Sequence, residues 1–171
     1  DPDFADPTKF VGPQYSLEDA TRAAAEYGWQ VKPDGDAFRR VVPSPDPLAV
    51  LEAPVIRQTL DGGRVVIAVG GGGIPVAIQD GQEIGVEAVV DKDLASERLA
   101  EELGADALVI LTDTDYVVEG WGGPNPRNVL AATPSALSSM PFATGSMGPK
   151  VTAACRFAER GGVAMIGPLE R

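Results

Sequence analysis

Four short stretches of this chain combine residue types that could do chemistry. Gly70 to Gly73 follow the β-branched run VVIAV and precede Ile74 and Pro75. Glycine loses the most conformational freedom on folding, so four in a row mark a sharp turn or a close approach of the backbone to something. With no Cβ atoms in the way, backbone N–H groups can face a small anion. A tight strand-to-loop turn without a ligand explains the same residues, and the spacing is neither GxGxxG nor a Walker loop. In GSMGPK, residues 145–150, the glycines free the backbone, Pro149 suits the first helical position, and Lys150 adds a charge to an electropositive helix N-terminus. That describes a phosphate cradle, and equally an ordinary glycine-rich helix entry. In DKD, residues 91–93, alternation along an extended segment sends Asp91 and Asp93 one way and Lys92 the other. The aspartates could orient lysines or help hold a metal-bound phosphate; a solvated charge cluster at a helix start fits as well. In LTDTDYV, Thr112, Asp113 and Asp115 follow an apolar run, a place for contacts to a ribose or base, or for an Asx turn.

What the chain lacks narrows the chemistry. It has no histidine, which removes Ser-His-Asp and Cys-His nucleophile pairs, imidazole acid–base work and histidine-containing zinc sites. Carboxylates, lysines, arginines, hydroxyls and backbone dipoles remain. There are four lysines, Lys9, Lys32, Lys92 and Lys150, and three of them fall in glycine-, proline- or aspartate-rich stretches rather than on a solvated helix face. Cys155 is the only cysteine; it falls beside Val151, Ala154 and Ala158 at helical spacing and reads as a small buried hydrophobe. A lone cysteine forms no intramolecular disulfide, which fits a cytosolic protein. The formal net charge of −11 and the lack of a Lys/Arg cluster argue against nucleic-acid binding. No apolar run reaches the ~18 residues of a membrane span, and no secretory leader opens the sequence.

These stretches need elements to position them. Residues 1–47 read as a small appended α+β subdomain: a Pro/Asp-rich ordered loop through Tyr15, a helix in SLEDATRAAAEYG capped by Ser16 and ended by Gly28, and a hairpin around Pro33-Asp34-Gly35. The breaker-rich PSPDP, residues 43–47, marks the boundary. Residues 48–171 read as an α/β lobe. Strands are expected in LAVLE, RVVIAV, ALVIL and VAMIG, and helices in PVIRQTLDGG, DLASERLAEELG, TPSAL and PKVTAACRFAER. Short apolar strands alternating with helices imply a mostly parallel sheet covered on both faces, with ligands outside the carboxyl ends of the strands.

Taken in order, DPTK, GPQY, RRVVPSP, VIRQTLDGGRVVIAVGGGGIPV, GVEAVVDKDLAS, ILTDTDYV, PN and GSMGPKV resemble the carbamate kinases of the amino-acid kinase fold, over essentially the whole chain. The resemblance implies a three-layer αβα sandwich and reversible phosphoryl transfer between carbamoyl phosphate and ADP, giving ATP and carbamate, often in arginine breakdown. It implies a cytoplasmic homodimer, with ATP or ADP as substrate and Mg²⁺ bound through the nucleotide phosphates. Lys9 matches a lysine of the protruding subdomain that reaches over the transferring phosphoryl group. Lys92 and Lys150 match lysines that neutralise nucleotide phosphates, and Asp91 matches an aspartate that organises them. Gly70, Gly71, Gly72, Gly73 and Ile74 match a loop beside the carbamate. Thr112, Asp113, Asp115 and Tyr116, with Ser146, Met147 and Gly148, match nucleotide-side segments. No residue is assigned to metal. Val118 and Gly120 depart from a segment in which the family carries an aromatic or more polar residue near the base. The N-terminal half of the family pattern, with its Gly-Gly-Asn stretch, is absent from the sequence. Two alternatives stay open: a non-catalytic nucleotide-binding half-module or truncated kinase, and a related kinase with another small acceptor.

Overall fold

A computed structural model describes residues 1–142 and 146–169. The chain forms two compact units: Asp1–Asp46 together with Ile74–Asp91, and Pro47–Gly73 together with Lys92–Arg171. The first cut falls at the PSPDP boundary. The segment Ile74–Asp91, which the sequence placed in the α/β lobe, packs with the first unit.

The first unit is a three-stranded antiparallel sheet, β1 (Lys9–Tyr15), β3 (Ala37–Val42) and β2 (Gln30–Asp34), with β3 in the centre. Lys9 pairs with Val42 and Gln30 with Val41. The expected hairpin and helix are present. Helix α1 (Leu17–Tyr27) starts at Ser16, whose hydroxyl accepts the Asp19 N–H, and ends at Gly28 in the left-handed region. The opening loop is a correction: Lys9–Tyr15 is a strand, interrupted by an irregularity between Val11 and Tyr15 around Gly12 and Pro13. Proline and glycine masked it in the sequence. A second hairpin, β4 (Val76–Gln79) and β5 (Gln82–Gly85), turns at Asp80-Gly81, both at positive φ, the Asp-Gly pairing that a two-residue hairpin loop favours.

The second unit is built on a parallel pair, β6 (Ala107–Thr112) and β9 (Val163–Pro168), in register from Ala107–Val163 to Thr112–Pro168. Helix α3 (Lys92–Leu103) leads into β6 and α5 (Met147–Glu159) leads into β9. Leu108 and Ile110 pack on Ala153 and Phe157, with Leu94, Ala100, Ala164 and Ile166 around them. Phe157 lies so close to Gly162 that a Cβ there would sit 2.2 Å from its ring. The strand residues between these, Val109, Leu111, Val163 and Met165, are all more than half exposed on the opposite face. Helix α2 (Ala53–Asp61), the short α4 (Pro134–Ser138) and a hairpin of β7 (Val117–Glu119) and β8 (Arg127–Val129) complete the unit. Two expected strands do not form. LAVLE ends in a turn into α2, and RVVIAV has no ladder partner among the described residues, with Val65 95% and Ile67 99% exposed. An apolar β-branched run becomes a strand only where neighbours take its N–H and C=O groups.

Candidate functional site

Short connections make α3 and α5 run back along the strands they precede, so both helix N-termini lie toward the carboxyl ends of β6 and β9. There the second unit gathers Lys92, Asp93 and Lys150. Asp93 stands in the first turn of α3 and is buried. Its Oδ2 accepts from Lys150 Nζ at 2.9 Å and lies 3.6 Å from Lys92 Nζ. A carboxylate suits that place because the helix N-terminus is electropositive. Taking a charge out of water is costly unless it is paired, and Asp93 is paired with two ammonium groups. Lys150 is nearly covered while Lys92 is more than half exposed. One lysine is thus held firmly by the aspartate and the other keeps its head in solvent.

Asp91 is the last residue of the first unit, and its Oδ2 accepts from Lys9 Nζ at 2.6 Å. Lys9 opens β1, and the pair is well shielded on the carboxylate side. The sequence reading gave Asp91 to Lys92 and Lys150; in the structure Asp93 receives those two and Asp91 receives Lys9. Alternation along DKD sent both aspartates one way, but α3 begins at Lys92 and turns Asp93 out of that pattern. The residue reading had both aspartates as candidates to orient lysines, and the first-turn position of Asp93 on a helix is the signal that favours it for Lys92 and Lys150.

The remaining residues divide between the units. Gly70 to Gly73 lie in the second unit and Ile74 in the first. Gly70, Gly72 and Gly73 have φ of 55°, 133° and 87°, and Val69 precedes them at 66°, so three of the four positions use conformations that side chains disfavour. Nothing lies within 4 Å of a Cβ built at Gly70, Gly71 or Gly73, so crowding by the chain itself does not require glycine there. Thr112 ends β6; its carbonyl accepts the Leu169 N–H, and its hydroxyl donates to Asp113 at 3.1 Å. Asp113, Asp115 and Tyr116 are exposed beyond the strand end. Thr114, between the aspartates, has a buried hydroxyl with no hydrogen-bond partner among the described residues, and the sequence reading did not single it out. Helix α5 starts at Met147, two residues ahead of the expected Pro149, and Gly148 and Lys150 fall in its first turn. The Ser146 side chain makes no capping bond. Gly145 lies outside the described residues. Cys155 is buried against Val117 and Val151; burial, and then the nearby Glu159, push its thiol up, as expected for an inert packing residue.

Two lysines on one buried carboxylate, beside two helix N-termini, can neutralise an oligophosphate. Comparisons with known proteins place the chain in a family. The model of the amino acid kinase family matches residues 10–166. A carbamate kinase of Escherichia coli is 51% identical over 172 residues, which cover all of this chain and 57% of that protein. A protein of Aeropyrum pernix, known from its crystal structure, superposes with a TM-score of 0.88 at 46% identity, over 99% of this chain and 57% of its own. A Giardia lamblia carbamate kinase bound to AMP-PNP superposes with a TM-score of 0.83 at 39% identity, over 99% and 56% respectively. The chain therefore spans a little over half the length of the relatives it matches.

Proposed function

The chain belongs to the amino acid kinase family, and from that premise we propose that it forms part of a carbamate kinase, transferring a phosphoryl group between carbamoyl phosphate and ADP. The observation that carries this reading is the placing of Lys92 and Lys150 on Asp93 at the N-termini of α3 and α5. Carbamate is already an anion, so its attacking oxygen needs no general base, and a chain without histidine loses nothing. Phosphoryl transfer is chiefly positioning and charge stabilisation. Lys150, held at fixed depth by Asp93, and Lys92, free to follow its target, are assigned to the nucleotide phosphates. Lys9, oriented by Asp91, is assigned to the transferring phosphoryl group. The N–H groups of Gly70 to Gly73 and the neighbouring Ile74 are assigned to the acceptor anion. Thr112, Asp113, Asp115, Tyr116, Ser146, Met147 and Gly148 are assigned to the nucleotide. Residues 1–47 would serve as the protruding subdomain and 48–171 as the nucleotide lobe.

Among the described residues no group of three or more His, Cys, Asp or Glu side chains could hold a metal ion. Mg²⁺ is therefore proposed to arrive on the nucleotide phosphates, where it would neutralise further charge. Among the described residues no helix is long and apolar enough to cross a membrane. A cytoplasmic homodimer working in arginine breakdown fits the reading. The test is ATP formation from carbamoyl phosphate and ADP by the protein that carries this chain, with acetyl phosphate as a competing donor. Turnover specific to carbamoyl phosphate supports the reading, and preference for acetyl phosphate moves the acceptor to another small carboxylate. Unchanged turnover in both Lys92→Ala and Lys150→Ala would remove the assigned roles.

A further inference from the structure

Glu97 is the largest fully buried side chain in the described structure, and the roles above do not use it. It lies one helical turn after Asp93 on α3, and Glu101 lies one turn further. These i, i+4, i+8 positions share one side of the helix. Glu97 ion-pairs with Arg160, the residue that ends α5, and the same Arg160 Nη1 lies 2.7 Å from Glu101 Oε2. Arg98 in turn pairs with Glu101. Helices α3 and α5 therefore meet at two charged points. At one, Asp93 takes Lys150; at the other, Glu97 and Glu101 take Arg160. Lys150 and Arg160 are ten residues apart, about 15 Å along a helix, and Asp93 and Glu101 are eight apart, about 12 Å. The Glu101 span matches that of α5 closely enough for parallel helices to be pinned at both ends, and Glu97, only four residues and about 6 Å from Asp93, is reached by the same Arg160 guanidinium. Between the pins the contacts are apolar: Leu94, Ala100, Ala153 and Phe157 belong to one core cluster. Apolar packing is not directional, whereas a guanidinium shared by two carboxylates fixes where one helix lies along the other.

We propose that Glu97, through Arg160, is a positioning residue that sets the register of α3 against α5 and so holds the Lys150 ammonium on Asp93. The proposal rests on the reading of Lys150 as a phosphate-binding lysine. Glu97 is fully buried while Arg160 stays partly exposed, and replacing a carboxylate that folding desolvates by an apolar group often leaves a fold as stable as before, so stability alone does not explain a buried glutamate at this position. The role predicts that loss of the pair is felt at Lys150, ten residues away, more than in overall stability.

The test reads the accessibility of the Lys150 amine directly. Acetic anhydride labelling of the folded protein is followed at Lys150 and, as an internal control in the other unit, at Lys32, by peptide mass spectrometry. Glu97→Gln and the paired variant Glu97→Leu with Arg160→Met are compared with the parent; should the single variant unfold, the paired one decides. Labelling of Lys150 is expected to rise about five-fold, the size of an ordinary coupling between neighbouring sites, with Lys32 unchanged. In phosphoryl transfer the same variants should raise KM for ADP and lower kcat, and should add little to Lys150→Ala. A folded variant that labels Lys150 at the parental rate overturns the proposal, as does an effect that adds fully to Lys150→Ala. Faster Lys150 labelling in a protein that transfers nothing from carbamoyl phosphate would uphold the positioning role and overturn the reaction instead.

Discussion

At the scale of single residues, the separate partners of Asp91 and Asp93 set what an isosteric, charge-removing substitution is expected to do. Asp93→Asn removes the charge that Lys150 and Lys92 share, and charge-assisted hydrogen bonds of this kind contribute about 1.5–3 kcal/mol, or roughly 10- to 100-fold in rate if the geometry matters to the transition state. The expected outcome is a fall of that size in kcat/KM, with a raised KM for ADP. Asp91→Asn instead releases Lys9, so its loss should fall on kcat with the KM for ADP little changed. Steady-state kinetics of the two variants checks this, and indistinguishable profiles would contradict separate roles. The lysines themselves were legible in the sequence because they are few and lie among glycines, prolines and aspartates. The two aspartates were legible as candidate partners, but which aspartate takes which lysine was not, since that depends on where α3 begins. Glu97 was illegible for the same reason: its i, i+4, i+8 stripe with Asp93 and Glu101 stands in the sequence, but its burial comes from the contact with α5.

At the scale of elements, local signals succeeded where the backbone satisfies itself. Ser16 caps α1 and Gly28 closes it as expected, and Thr133 caps α4. Ser16→Ala should cost about 1 kcal/mol of stability, read as a lower urea midpoint. The same variant carries a second readout. The Ser16 hydroxyl, and then Arg22, hold the Asp19 carboxyl below its ordinary value. A carboxyl depressed on folding adds stability that is present at neutral pH and fades as pH falls through its folded pKa. Removing the hydroxyl should move the Asp19 midpoint upward in an NMR titration and make the variant's stability less sensitive to acid. Where an element needs a distant neighbour, the sequence misled. RVVIAV has the composition of a buried strand and no ladder partner among the described residues, whereas β1 carries Gly12 and Pro13 and is a strand because β3 pairs with it. Gly162 shows a constraint of the same distant origin. Its Cβ would overlap the buried Phe157 ring, so Gly162→Ala should cost about 1–3 kcal/mol, as overpacking does, and chemical denaturation would show it.

At the scale of the whole molecule, the parallel pair poses a solvation problem. Parallel strands occur almost only where both faces are covered. Here α3 and α5 cover Leu108 and Ile110, while Val109, Leu111, Val163 and Met165 face water, and Val65 and Ile67 of the same unit are almost bare. At about 25 cal/mol per Å², even partial burial of six such side chains supplies several kcal/mol toward association. The net charge of −11 opposes contact between copies, and salt screens that repulsion more than it weakens apolar contact. The chain produced alone is therefore expected to self-associate, more strongly at high salt than at low. Sedimentation velocity across a salt series would register this as a rising weight-average mass. Val109→Lys with Met165→Lys places two charges on the bare face without touching the α3 and α5 side, and should return the protein toward monomer while circular dichroism stays unchanged. Association that weakens with salt, or that survives the two lysines, would mean that charged surfaces hold the copies together and that the bare strand face has no part in it.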